Sequence, residues 1–220
     1  VLRVDDYPTR LLQTLMSLAP KKCDSSVPTV VLLTPGHLNS AYYEHTFLSD
    51  QMGIEMVEAQ DLFVENDFLY MKTVDGPKKI DVVYRRIDDD YLDPLAYNPN
   101  SVIGVPGITH VYKTGGVNIC SAPGAGIADD KAVYIYVPEM IKFYLGETPI
   151  LDNVQTWRCE RDDDLKYVLE NIDELVIKEV DGSGGHGMLI GPKSTKQEIE
   201  NFSSKLKLHP EGYIAQPTLD

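Results

Sequence analysis

The sequence predicts an α/β protein whose first half is built on a small, largely parallel sheet. Two observations carry this. The run Pro28-Thr-Val-Val-Leu-Leu-Thr34 is bounded by Pro35-Gly36 and followed by helix-forming residues and a second apolar run, Ile54 to Val57. Strand, helix, strand at that spacing is the pattern of a βαβ unit. After Pro149, strands and helices alternate again, adding α+β elements to the second half.

The elements follow in order. Residues 2 to 18 have partly helical apolar spacing, stopped by Pro20, and Lys21 to Ser26 read as a polar linker. Thr29 to Leu33 is continuous enough to be a buried strand. Asn39 or Ser40 can cap a helix running to about Met52, which Gly53 ends. Phe68 to Met71 and Lys79 to Tyr84 read as two further strands separated by a turn at Asp75-Gly76-Pro77. Residues 86 to 126 are rich in proline and glycine, and a loop region of that length inside a compact protein is usually functional. Asp129 is expected to cap a helix from Lys131 to about Leu145, kinked or divided at Pro138. A strand near Val154 to Trp157, a helix from Asp162 to Asn171, a strand from Leu175 to Val180 and a strand from Met188 to Ile190 follow. A helix from Thr195 to Leu206 and a strand from Gly212 to Gln216 complete the chain.

Composition narrows the function. With 220 residues, 43% of them hydrophobic, the chain can bury a core. No apolar run approaches the roughly 20 residues that span a bilayer, and no signal segment opens the chain, so a membrane is not an expected partner. A formal charge of −14 disfavours the nucleic-acid backbone. Cys23, Cys120 and Cys159 are scattered, without metal-site spacing, and fit a reducing cytoplasm. Val1 reads as a trimmed start.

The chemistry-bearing residues are few. Lys178 lies on the strand that feeds the loop Gly182-Ser183-Gly184-Gly185-His186-Gly187. Strand alternation puts Lys178 on one face with Val176 and Val180, where an ammonium group needs an anion. Glycine lets backbone amides approach phosphate oxygens. Taken alone, such a loop is as well explained as a turn beside a solvated lysine. It is neither a Walker A loop nor a Rossmann fingerprint, because a strand follows it. A second candidate is Gly124-Ala-Gly-Ile-Ala-Asp129-Asp130-Lys131, where a helix start and a lysine could hold phosphate, or where Asp-Asp could merely cap. Gln216 ends a strand and offers a donor and an acceptor to a flat base, or is simply an edge-strand residue. Arg85 and Arg86 end a strand beside Asp88-Asp89-Asp90, either to grip an anion or to pair with those aspartates. His45 could act as a base, though a helix-to-loop hydrogen bond is the plainer role.

In combination these pieces are more specific. Lysine at a helix start, lysine on a strand, glycine hairpin, helix, then a strand with a polar terminus is the order of the ATP-grasp nucleotide site. The run Thr34-Pro-Gly-His-Leu-Asn-Ser-Ala-Tyr-Tyr-Glu-His45 resembles the circularly permuted ATP-grasp family of bacterial proteins related to glutathionylspermidine synthase. So do Tyr84-Arg-Arg-Ile-Asp-Asp-Asp-Tyr-Leu-Asp-Pro94, Ala128-Asp-Asp-Lys-Ala132, Phe143-Tyr-Leu-Gly-Glu147, the glycine loop and Tyr213-Ile-Ala-Gln216. The likeness runs from about residue 27 to the end.

The resemblance implies a helical leader and linker over residues 1–26 and a small Rossmann-like pre-ATP-grasp layer over 27–95. It further implies a loop-rich connection over 96–128 and an incomplete ATP-grasp nucleotide-binding subdomain over 129–220. It implies a carboxylate–amine ligase working through an acyl phosphate. Lys131 and Lys178 would neutralise the phosphates of ATP, residues Gly182, Ser183, Gly184, Gly185, His186 and Gly187 would fold over them, and Gln216 with neighbouring backbone would meet adenine. His186 stands where an aromatic is expected. Arg85 or Arg86 would grip a substrate carboxylate or the transferred phosphoryl group. Magnesium would be held by a Glu-Asp-Asn-type segment outside this sequence, so no metal ligand is assigned within it. The chain thus reads as an internal fragment, inactive by itself. The partners implied are ATP and small-molecule or peptide carboxylates and amines. A non-catalytic nucleotide-binding or protein-interaction module of the same fold is the alternative.

Overall fold

A computed structural model describes residues 4–182, 184–185 and 187–219. The chain forms two compact units, Val1–Gly124 and Ala125–Asp220.

In the first unit, helix α1 (Tyr7–Ser17) precedes strand β1 (Val30–Leu33), helix α2 (Tyr42–Met52) and strand β2 (Glu55–Val57). β1 is buried at every position because it is an inner strand covered on both faces. Val30 and Leu32 face a core shared with Leu15 of α1 and Leu48 and Met52 of α2, while Val31 and Leu33 enter the core on the other side. α2 starts at Tyr42, after Asn39 has closed a turn by accepting from the Ala41 amide at 2.9 Å. Gly53 ends it in the left-handed conformation, φ +66°, as expected.

An antiparallel meander follows: β3 (Leu62–Glu65), β4 (Phe68–Thr73) and β5 (Gly76–Ile80). The sequence reading did not foresee β3. Its turn is Asn66-Asp67, both at positive φ (49° and 62°), which these two residue types tolerate and which matches the twist of a hairpin. The single strand expected from Lys79 to Tyr84 is in fact two strands in different sheets, β5 and β6 (Val82–Arg85). The break falls at Asp81, whose buried carboxylate accepts from the Thr29 amide at 2.9 Å and lies 3.7 Å from Lys79.

The stretch 86–124 holds more regular structure than expected: α3 (Asp89–Leu92), α4 (Ile108–Lys113) and β7 (Asn118–Cys120). Asp93, 1% exposed, organises it by accepting from the amides of Leu95, Gly107 and Thr109 at 2.9 to 3.0 Å. Burial opposes its ionisation most, yet the bonds from Thr109, Gly107 and Leu95 together hold its pKa below the ordinary carboxylate value. β7 completes a parallel sheet in the order β2-β1-β6-β7.

In the second unit, short 3₁₀ turns at Ala125–Ala128 and Val133–Tyr136 lead into α5 (Val137–Leu145). The helix expected from Lys131 therefore begins at Val137. Pro138 starts it, where a missing amide hydrogen costs nothing. Asp130, not Asp129, caps the preceding turn, accepting from the amides of Ala132 and Val133 at 2.7 and 3.2 Å. Then come β8 (Trp157–Arg158), α6 (Asp162–Glu170), β9 (Leu175–Glu179), β10 (Leu189–Ile190), α7 (Lys196–Leu208) and β11 (Tyr213–Pro217). α7 opens with a reciprocal cap between Thr195 and Glu198. The sheet is antiparallel, in the order β10-β9-β11-β8. Leu175, Ile177, Leu189, Ala215 and Cys159 pack with Val168 of α6 and Leu206 of α7 in one core. Alternation leaves Val176, Lys178, Ile214, Gln216 and Arg158 on the other face. Burial, with Asp164 adding repulsion, pushes the Cys159 thiol up to about 12, so it is an inert core group.

Candidate functional site

Lys178 sits on that second face, opposite Ile214, as strand alternation predicted. Its Nζ donates to Gln216 Oε1 at 2.8 Å, and Gln216 Nε2 donates to Thr156 Oγ1 at 3.0 Å. Of the ammonium's three donors, two have no acceptor among the described residues.

Lys131 is drawn to the same strand end. Its main-chain N–H donates to Val180 O at 3.0 Å, and its Nζ reaches Val180 O at 3.5 Å and also Gly182 O. It is held by carbonyl groups at the mouth of the glycine loop, not presented at a helix N-terminus, which corrects the expectation of a helix-dipole site.

The loop between β9 and β10 is a hairpin connection, with Leu189 opposite Ile177 and Ile190 opposite Val176. Gly184, Gly185 and Gly187 all have φ between 63° and 80°, conformations that a side chain strains. At Gly187 a Cβ would also lie 2.1 Å from the Glu179 carboxylate carbon. Ser183 and His186, which the sequence assigns to the phosphate-covering loop, lie outside the described residues.

Sequence reasoning missed Thr156 and Arg158. Thr156 is 60 residues from Gln216 in the chain and meets it only because β8 lies beside β11. Arg158 lies level with Lys178 across Ile214. Its guanidinium is tied to Glu160 and to the Tyr136 hydroxyl, with its carbon 5.3 Å from the Tyr136 ring centre, and its buried Nε has no acceptor among the described residues.

Arg85 and Arg86 belong to the first unit, at the carboxyl end of β6. Arg85 is 8% exposed and bonded to Asp89 at 2.6 Å and to the carbonyls of Ile87, Ser121 and Ala122. That set of acceptors makes it a tie between chain segments, leaving little of the guanidinium for a ligand. Arg86 pairs with Glu44 at 2.5 Å and is 28% exposed. His45 is 1% exposed and its Nδ1 lies 2.9 Å from Thr34 Oγ1, the helix-to-loop bond expected of it.

Burial, then the Arg86 charge, lowers the His45 pKa against an opposing pull from Glu44. Between the lowered folded value and the unfolded value near 6.5, the unfolded chain binds more protons, so stability rises with pH. The contribution is complete above pH 6.5 and is lost as pH falls towards the folded value. Thermal unfolding followed from about pH 8 down to about pH 5 should show this decline, and His45→Gln should flatten that part of it.

Comparison with known proteins identifies the family. The model of the family described as circularly permuted ATP-grasp type 2 matches residues 1–220. The chain belongs to that family. It is 51% identical over 217 residues to an uncharacterised protein of Synechocystis, covering 99% of this chain and 45% of that protein. It is 48% identical over 221 residues to an uncharacterised protein of Mycobacterium tuberculosis, 40% of which is covered. A Frankia alni protein provisionally named glutamate–cysteine ligase 2-3 is 38% identical over 216 residues, 98% of this chain and 25% of the relative. The chain thus spans less than half the length of these relatives.

Lys178 lies on the second face of the unit 2 sheet, and Lys131 is bonded to carbonyl groups at the end of the same strand. Among the described residues no three His, Cys, Asp or Glu side chains gather to hold one. No helix among the described residues is long and apolar enough to cross a membrane.

Proposed function

We propose that the full-length protein is an ATP-dependent carboxylate–amine ligase and that residues 125–220 supply its nucleotide site. The observation that carries this reading is that Lys131 is bonded to the end of β9, the strand that carries Lys178, and that Gly184, Gly185 and Gly187 of the loop that follows have positive φ. Lys178 has two donors without an acceptor among the described residues to offer phosphate oxygens, and Lys131 can exchange carbonyl groups for them. The loop amides close over the same oxygens. Charge neutralisation and positioning would let a carboxylate attack the terminal phosphorus, and an amine would then displace phosphate from the acyl phosphate.

Magnesium, which ATP-grasp chemistry uses with the triphosphate, would be held by residues of the full-length protein beyond this chain. In the first unit Arg86, rather than Arg85, keeps capacity to receive a substrate carboxylate. The name of the Frankia alni relative supports a carboxylate and an amine as the substrate classes and identifies neither for this protein.

The test is ADP and phosphate release by the full-length protein across paired carboxylates and amines. Release that needs both substrates, with an amide product, is the expected result. Failure to bind Mg-ATP in a calorimeter, together with tight capture of a protein partner, would make the chain a binding module instead.

A further inference from the structure

We propose that Thr156 and Gln216 form a hydrogen-bond relay that orients Lys178, so that Gln216 acts as a positioning residue and not as the reader of the adenine ring. The inference rests on the proposed nucleotide site and assigns roles within it. Its basis is the polarity of four groups in a row. The Lys178 ammonium can only donate, so its partner at 2.8 Å must be the carbonyl oxygen of the Gln216 amide. The amide nitrogen then points away, and it meets Thr156 Oγ1 at 3.0 Å. That oxygen accepts, because its own hydrogen goes to Val154 O at 2.9 Å. A main-chain carbonyl has no hydrogen to return, so the row can run in one direction only.

The register of the sheet sets this row in place. Gln216 stands opposite Val176, one residue pair before Lys178 on the same face, and β8 brings Thr156 to the far side of β11. All three side chains are half-buried, where water competes less for the amide. With its carbonyl oxygen held by Lys178 and one N–H held by Thr156, the orientation of the Gln216 amide is set from within the protein and not by a base. Without Thr156 Oγ1, the amide is free to turn over and put its NH₂ against the ammonium.

The experiment uses the full-length protein, with calorimetric affinities for ATP and for adenosine. Thr156→Val keeps the shape and removes the acceptor, and it should weaken ATP binding about tenfold, in line with the loss of one charge-assisted contact. Adenosine binding should stay as in the wild type, and Thr156→Ser should restore ATP affinity. In a Gln216→Leu background, Thr156→Val should change ATP affinity no further, because its effect passes through Gln216. Equal losses for ATP and adenosine, additive losses in the double variant, or wild-type ATP affinity in Thr156→Val would each overturn the relay. If Lys178→Ala weakens ATP binding while Thr156→Val does not, the relay alone fails. A wild-type protein that binds no ATP would remove both the relay and the ligase reading.

Discussion

Lys178→Ala in the full-length protein is expected to weaken ATP binding by about one to two orders of magnitude while the fold persists. A hydrogen bond to a charged group contributes about 1.5–3 kcal/mol, and each 1.4 kcal/mol is a factor of ten. The fold should survive because the core of the second unit is made on the opposite face, by Leu175, Ile177, Ala215 and the apolar sides of α6 and α7. The Nζ atom contacts Gln216, not a core residue. Calorimetry with ATP measures the first part, and a melting temperature close to that of the wild type checks the second. Unchanged ATP affinity would separate Lys178 from the phosphates.

Gly187→Ala should be the most damaging single change in the glycine loop. A backbone cost and a close contact with the movable end of the Glu179 side chain coincide there. The residue has φ +66°, which costs a side-chain-bearing residue about 1–2 kcal/mol. Its new Cβ would lie 2.1 to 2.3 Å from the carboxylate atoms of Glu179. Glu179 stands opposite Tyr213 in the sheet, and its charge, after burial, raises the Tyr213 pKa, so moving the carboxylate also alters the surroundings of that phenol. Gly185→Ala meets only the backbone cost, because its nearest neighbour is the Met188 methyl carbon at 3.8 Å. The expected order is a loss of ATP turnover of at least tenfold for Gly187→Ala and a smaller loss for Gly185→Ala, read as kcat/KM in the full-length protein. Equal losses at the two positions would show that Glu179 does not set the loop.

The elements that the sequence revealed are those whose signal is local. β1 is a continuous apolar run, α2 ends at a glycine that takes the left-handed conformation, and α7 opens with its own capping pair. β3 escaped notice because its evidence is a turn of Asn66 and Asp67, residues as common in loops as in hairpins. The junction at Asp81 was illegible for a different reason. Val82 and Val83 continue the apolar pattern of Ile80 without a break, and only the bond to Thr29, 52 residues away, divides them between two sheets. Around Lys131 the aspartates suggested a helix cap, whereas the competing partner was the carbonyl group of Val180, 49 residues on.

By itself the sequence determined the α/β class, the face on which Lys178 lies, the glycine hairpin and the order of parts that marks an ATP-grasp protein. The first three follow from the local spacing of apolar residues or from conformations open to glycine, which need no distant partner, and the last was read as a resemblance to a known family. Tertiary structure alone decided that Lys131 closes on the end of β9, that Arg85 is used up within the fold while Arg86 is not, and that Thr156 meets Gln216. Those pairings depend on which strands become neighbours, and strand order is set by burial of both sheet faces across the whole unit, a cooperative property that no short window of residues contains.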